Sequence, residues 1–439
     1  VIDAHGIGGQ SDLPIPLELA VSGSVAALVL SFAVLVLAWR RPRYADPAAI
    51  RGLRAPDLLS RLVLAPYTKV ALRVLGFVLF LYTAACAVFG VDQLTNPFFG
   101  IVYIWWWVGL VFASLLLGPV WKAISPVRTI NDLLQRLSGG DGDNGIRAYP
   151  AWLGYWPAAF GLYAFVWLEL VYERSDELAD VRLWCALYVA AMLVGGAVFG
   201  SRFYEHADPF EVYSSLVARL SPWHVVDGRV MLRSPLANLA STPAKPGLVA
   251  VVAVLFGSTA FDSFSESPYW TRFVYDATLT GNQLNNIALL VFCLAAGLLF
   301  AGGCALTGVA GDVRRRDLPR RLAQSIVPIV AGYIVAHYLT LFVDSGWQTL
   351  ARASDPFGKG WNILGTAGLT PSYWFSYHPT LLATLKVLAV VVGHVTAAVA
   401  AHDRALEVLP KRHQVTGQLP LLLTMVAFTA GGLYLLFNA

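Results

Sequence analysis

The sequence predicts an all-α, polytopic transmembrane helical bundle of about ten spans with both termini on the outer side, and three observations carry that prediction. The 439 residues are 57% hydrophobic and only 13% charged, with a mean hydropathy of +0.61, which lies outside the range of ordinary soluble domains. Apolar runs of membrane length recur along the whole chain. The basic residues gather on alternate connections.

Residues 1–15 (VIDAHGIGGQSDLPI) are polar, contain Gly and Pro, and are too short to fold alone; they belong at the outer surface. The run Leu17–Trp39 ends in Arg40, Arg41 and Arg43 and so stops at the cytoplasmic face. Further runs follow at about 68–90, 98–121, 151–172, 181–201, 246–264, 284–309, 322–345, 379–401 and 418–437. Ten spans with residue 1 outside place 25 of the 31 basic residues on cytoplasmic loops and helix ends, among them Arg314, Arg315 and Arg316. Only Arg174, Arg182, Arg272, Arg352, Lys359 and Lys386 fall on the other side, a bias that one missed or invented span would destroy. Small-polar interruptions, Ser22-Gly23-Ser24 in the first span and Gly257-Ser258-Thr259 in the sixth, would also suit two inverted halves of five.

The whole chain, 1–439, reads as one transmembrane domain. Its cytoplasmic connections, 123–150 and 203–245, carry amphipathic stretches with apolar residues at helical spacing: Ile130, Leu133, Leu134 and Leu137 in the first, Phe210, Tyr213, Leu216, Val217 and Leu220 in the second. In the second, Asp208-Pro209-Phe210-Glu211 supplies an N-cap, a Pro at the first helical position and a Glu three after the cap. Both stretches are expected to lie on the inner membrane face. Outside, 346–379 is long, glycine-containing and rich in aromatics, and reads as an ordered cap.

The net charge of +4, with 25 Arg against 6 Lys, is explained by topology, and no nucleic-acid surface is indicated. Cys86, Cys185, Cys293 and Cys304 sit in apolar runs without paired spacing, so a disulfide framework is not expected. No HExxH, phosphate-binding GxxxxGK[ST], dinucleotide fingerprint or GxSxG elbow occurs.

The residues that invite chemistry are titratable groups at membrane depth, because such groups are costly in lipid and pair in the bundle interior. Counting the helical rise from each cytoplasmic end, Asp262 lies roughly 24 Å up, His337 roughly 22 Å, Lys386 roughly 24 Å and Glu169 roughly 27 Å, one layer. A carboxylate there can fix an imidazole tautomer while the other ring nitrogen takes a metal, a proton or a substrate. Lys386 would neutralise Asp262 or Glu169, or attract an anionic ligand. His394 lies roughly 10 Å below His337, too far to share its metal ion. With His402 and Asp403 it would form an inner metal site or a proton path. The metal ligands expected on this reading are His337, His394, His402 and Asp262, and the cofactor a transition metal, copper or zinc, or haem. His5 beside Asp3 has the form of a weak terminal copper ligand.

Six stretches together resemble bacterial multi-pass membrane proteins described as fenitrothion hydrolase-like: AHGIGGQSDLPIP (4–16), IWWWVGL (104–110), TAFDSF (259–264), AHYLTLF (336–342), SDPFGKGWNILGTA (354–367) and GHVTAAVAAHDRAL (393–406). The resemblance spans most of the chain and implies an association with organophosphate ester hydrolysis, although the sequence shows no binuclear metal cluster of the kind that chemistry uses. The leading expectation is a bacterial inner-membrane protein that binds or translocates a small ligand, ion or proton through an intramembrane His/Asp site. A membrane-embedded metal-dependent hydrolase and a non-catalytic subunit of a larger membrane metalloenzyme or respiratory complex stand beside it. The expected partners are the lipid bilayer, the small ligand and, on the last reading, other membrane subunits.

Overall fold

The computed structural model describes residues 9–46, 50, 52–137, 139, 143–307 and 313–438; His5 and Asp3 lie outside them. Its principal helices are α1 (Leu17–Ala38), α2 (Pro66–Phe89), α3 (Pro97–Leu117), α4 (Pro126–Leu137), α5 (Trp156–Leu170), α6 (Leu178–Phe199), α7 (Ser201–Ala207) and α8 (Pro209–Val217). They continue with α9 (Leu248–Ser265), α10 (Gly281–Ala305), α11 (Val327–Arg352), α12 (Pro379–Val408) and α13 (Leu419–Asn438). Within α3 the stretch Gly100–Val108 is wound as a π-helix.

Nine helices among the described residues are long and apolar enough to cross a membrane, and α5 falls short of that length. At 15 residues α5 extends about 22 Å, against a hydrocarbon core of about 30 Å. The expected fourth span, 151–172, is therefore shorter than its apolar run. Residues 151–155 form turns, and the helix starts only where Pro157 occupies its first turn, the position at which a missing N–H costs nothing.

The chain divides into two compact units. One comprises Gly52–Arg233 and Leu341–Ser372, the other Ile2–Arg51, Ser234–Thr340 and Tyr373–Ala439. The partition does not follow two halves of five spans, since α1 groups with α9, α10, α12 and α13.

In the first unit α8 is the centre. Phe210 packs against Trp106 at 4.2 Å, Phe165 at 5.2 Å and Tyr188 at 5.3 Å between ring centroids, so that one side chain ties α3, α5 and α6. Every named residue from Pro209 to Val217 except Ser215 is buried. The helix therefore does not lie on a surface, as its amphipathic spacing suggests; its polar positions are enclosed because they have polar partners. The stretch Pro126–Leu137 is helical as expected, but its buried side is Val127, Arg128 and Asn131, while Leu133, Leu134 and Leu137 point outward. A small antiparallel sheet joins β1 (Leu53–Arg54), β2 (Trp223–Val226) and β3 (Arg229–Leu232) in the order β1-β3-β2. Its hairpin turns at Asp227-Gly228, both with positive φ, the geometry that a two-residue hairpin loop requires.

In the second unit α11 and α12 cross at glycines. A Cβ on Gly332 would stand 2.5 Å from the Ala389 carbonyl oxygen, and one on Gly393 2.5 Å from that of Pro328. Only glycine allows this approach, the small-residue packing that draws helices together where lipid offers no hydrophobic drive.

The stretch expected as a cap begins inside α11 and continues as turns from residue 353 to 378. The turns are ordered by their own polar groups: the Asp355 carboxylate accepts from the Lys359 N–H at 2.8 Å and the Gly360 N–H at 2.7 Å. The boundary between the two units falls within this stretch, at Ser372.

Candidate functional site

The second unit holds a buried polar chain built from two adjacent residues of α9 and three of α11. Tyr333 and His337 are four residues apart and share a helix face, and their rings lie nearly parallel, at 10°. Tyr338 is the next residue, and its ring meets the imidazole edge-on at 4.5 Å. Opposite them, Asp262 and Ser263 bracket the imidazole. His337 Nε2 lies 2.8 Å from Asp262 Oδ2, and His337 Nδ1 lies 3.1 Å from Ser263 Oγ. Tyr338 Oη donates to the same Asp262 oxygen at 2.6 Å, and Tyr333 Oη donates to Ser263 Oγ at 3.1 Å. All five residues are buried.

The partners set the tautomer. A carboxylate only accepts, so Nε2 carries the proton and donates to Asp262. Nδ1 then accepts from the Ser263 hydroxyl, whose own oxygen accepts from Tyr333. The donors run in one direction, from Tyr333 through Ser263 and His337 to Asp262. A second proton delivered at Nδ1 would make an imidazolium already paired with a carboxylate. The Ser, His and Asp here have the composition of a nucleophile triad, yet Ser263 is fully buried and its oxygen holds the Tyr333 hydroxyl. The sequence carried Asp262 and His337 but gave no means of choosing Ser263, Tyr333 or Tyr338; the Tyr333/His337 spacing was the one available signal.

Lys386 is buried on α12, and Glu266 and Asp12 are among its charge neighbours. Glu266, four residues beyond Asp262, closes α9, and the short turn Gln10–Asp12 brings in the second carboxylate. Glu169 belongs to the other unit, where Tyr103 and Tyr213 are its electrostatic neighbours.

His394 is buried on α12, with Nδ1 2.8 Å from the Val390 carbonyl oxygen. A carbonyl requires Nδ1 to donate, which leaves Nε2 as a lone pair, and that atom has no hydrogen-bond partner among the described residues. His402 is spent on structure: Nδ1 lies 3.0 Å from Gln418 Oε1 and Nε2 2.9 Å from the Trp39 carbonyl oxygen. Asp403 accepts from Trp39 Nε1 and from the backbone N–H groups of Arg43 and Tyr44, at 2.8, 2.6 and 3.1 Å. Together they close the C-terminal end of α1, satisfying a helix-end carbonyl and the chain that leaves it.

The expected metal ligands do not converge. Among the described residues no group of three or more His, Cys, Asp or Glu side chains is placed to hold a metal ion. Asp262 and His337 offer two, with both ring nitrogens bonded, and His402 has neither nitrogen to spare. His206 is buried between Tyr149 and Tyr155, each ring 5.4 Å away.

The chain matches no protein-family model, no curated protein and no solved structure.

Proposed function

We propose that the chain is a proton-binding and proton-translocating membrane protein whose working residues lie in the second unit. The observation that carries this reading is the one-directional buried chain Tyr333, Ser263, His337, Asp262, in which an imidazole stands between a hydroxyl donor and a carboxylate. Intramembrane His and carboxylate side chains joined in this way are the usual elements of a proton relay. His394 supports a continuation inward. The Gly332/Gly393 crossing sets it five to six residues below His337 along α11, about 8 Å, and its Nε2 is an open acceptor.

The accompanying topology is ten spans, with α5 completing the set through the turns that precede it. Both termini are then outside, the alternating basic residues face the cytoplasm, and the membrane is a bacterial inner membrane. Lys386, with Glu266 and Asp12, would lie at the outer entrance, where a lysine between carboxylates can relay a proton or hold an anion.

The test is flux. Purified protein reconstituted into vesicles containing a pH-sensitive dye is driven by a potassium diffusion potential. Wild-type protein is expected to change the internal pH, and Asp262→Asn, His337→Gln and His394→Leu to reduce that rate at least tenfold while remaining folded in detergent. No wild-type flux at either polarity, or flux undiminished in all three variants, overturns the proposal.

A further inference from the structure

The first unit contains a second buried carboxylate system that the relay does not use. Asp208 is fully buried at the N-cap of α8. Its Oδ1 accepts from Tyr188 Oη and from the Phe210 N–H, each at 3.0 Å, and its Oδ2 accepts from Trp121 Nε1 at 3.0 Å. None of these donors is a cation. One turn on, Glu211 is also buried, and it binds Arg128 through both oxygens, at 2.5 Å to Nε and 2.6 Å to Nη2. The same Nη2 reaches the Ser201 carbonyl oxygen at 3.2 Å. The one guanidinium in this cluster is thereby committed to Glu211, so two buried carboxylates share a single buried cation.

We propose that Asp208 is a proton-binding site of the first unit, taking up a proton that cancels the uncompensated buried charge. An isolated ionised carboxylate in a dry interior is costly, and the group neutralises instead. The proton fits the geometry, because the Tyr188 hydroxyl can turn from donor to acceptor and receive the new Oδ1–H. The remaining charges around α8 do not substitute for it. Lys122, on the short helix Val120–Ile124, is exposed and pairs with Glu205 of α7 at 2.8 Å, and His206 is bonded to the Arg202 carbonyl. Arg73 pairs with Asp132 of α4 at 3.6 Å. Tyr204, Tyr213 and Glu169 add no cation, and Arg219 has Tyr155 and Arg233 as its charge neighbours. In agreement, burial first and Glu211 second push the Asp208 carboxyl up to about 7, against the three hydrogen bonds that oppose the rise.

Difference infrared spectroscopy of the purified full chain, titrated from pH 5 to pH 9, reads this directly. A protonated-carboxyl carbonyl band is expected to disappear as pH rises through neutrality, to be lost in Asp208→Asn and to persist in Asp262→Asn. A spectrum in which Asp208→Asn removes no such band overturns the proposal. Trp121→Phe covers the case in which Asp208→Asn does not fold. Removing a donor to the ionised form raises the midpoint by on the order of one pH unit, and an unmoved midpoint overturns the assignment equally.

Discussion

The relay stands or falls on one bond, and a double-mutant cycle between Asp262 and His337 measures it. Asp262→Ala removes an oxygen that accepts twice, from His337 Nε2 at 2.8 Å and Tyr338 Oη at 2.6 Å. Each buried donor left unmet costs about 1–3 kcal/mol, so the substitution should destabilise by roughly 2–6 kcal/mol, toward the lower end because the Tyr338 hydroxyl can rotate. His337→Ala leaves Ser263 Oγ without its acceptor and empties the volume of an imidazole, a loss of roughly 2–4 kcal/mol on the scale of buried truncations. With both changes present the shared bond is counted once, and the double variant should be about 1–3 kcal/mol more stable than the sum of the singles implies. The assay is reversible unfolding in mixed micelles, followed by the circular dichroism of the helices. Additivity to within about 0.5 kcal/mol would refute the bond, and with it the fixed tautomer on which the direction of the chain depends.

Other expectations follow from the same structure. Asp208 has a folded-state value raised to about 7 from an ordinary 3.8, so the native state binds the proton more tightly than the unfolded chain does. Its contribution to stability is full below about pH 4 and is lost as pH rises to about 7. The variant Asp208→Asn should flatten that fall and gain up to about 4 kcal/mol relative to wild type above pH 7, read from melting curves across pH. Arg128→Met strands Glu211 and should cost about 3–5 kcal/mol, whereas Arg128→Met with Glu211→Met should recover most of the loss. Gly332→Leu drives a side chain into the α12 backbone at Ala389 and should lower the melting temperature sharply, while the same change at Gly302, which has no neighbour within 4 Å of an added Cβ, should leave it nearly unchanged.

What the sequence determined by itself is what one-dimensional patterns can carry. Membrane-length apolar runs located nine of the ten expected helices among the described residues, with ends that differ by up to about seven residues, because length and hydropathy alone set whether a helix can cross. The capping sequence at Asp208-Pro209 correctly started α8, since cap geometry is local. Helical rise put Asp262 and His337 at one depth, and they do meet. The strand pair around Asp227-Gly228 was legible too, in the turn residues, although an all-α reading passed over it.

What only the tertiary structure decided is pairing, which depends on helix rotation and on which helices are neighbours. Depth could not tell that Glu266 and Asp12 are charge neighbours of Lys386, since Glu266 is one turn from Asp262 and a difference of about 6 Å lies within the error of a span boundary. It could not tell that Glu169 belongs with Tyr103 and Tyr213 in another unit. His402 looked like a ligand, but Gln418 takes one of its nitrogens and the end of α1 the other. Amphipathic spacing marked α8 as a surface helix, because hydropathy counts Glu211 as polar without knowing that Arg128 waits opposite it. A buried charge is tolerated only beside its partner, and partners distant in sequence are brought together by the fold alone.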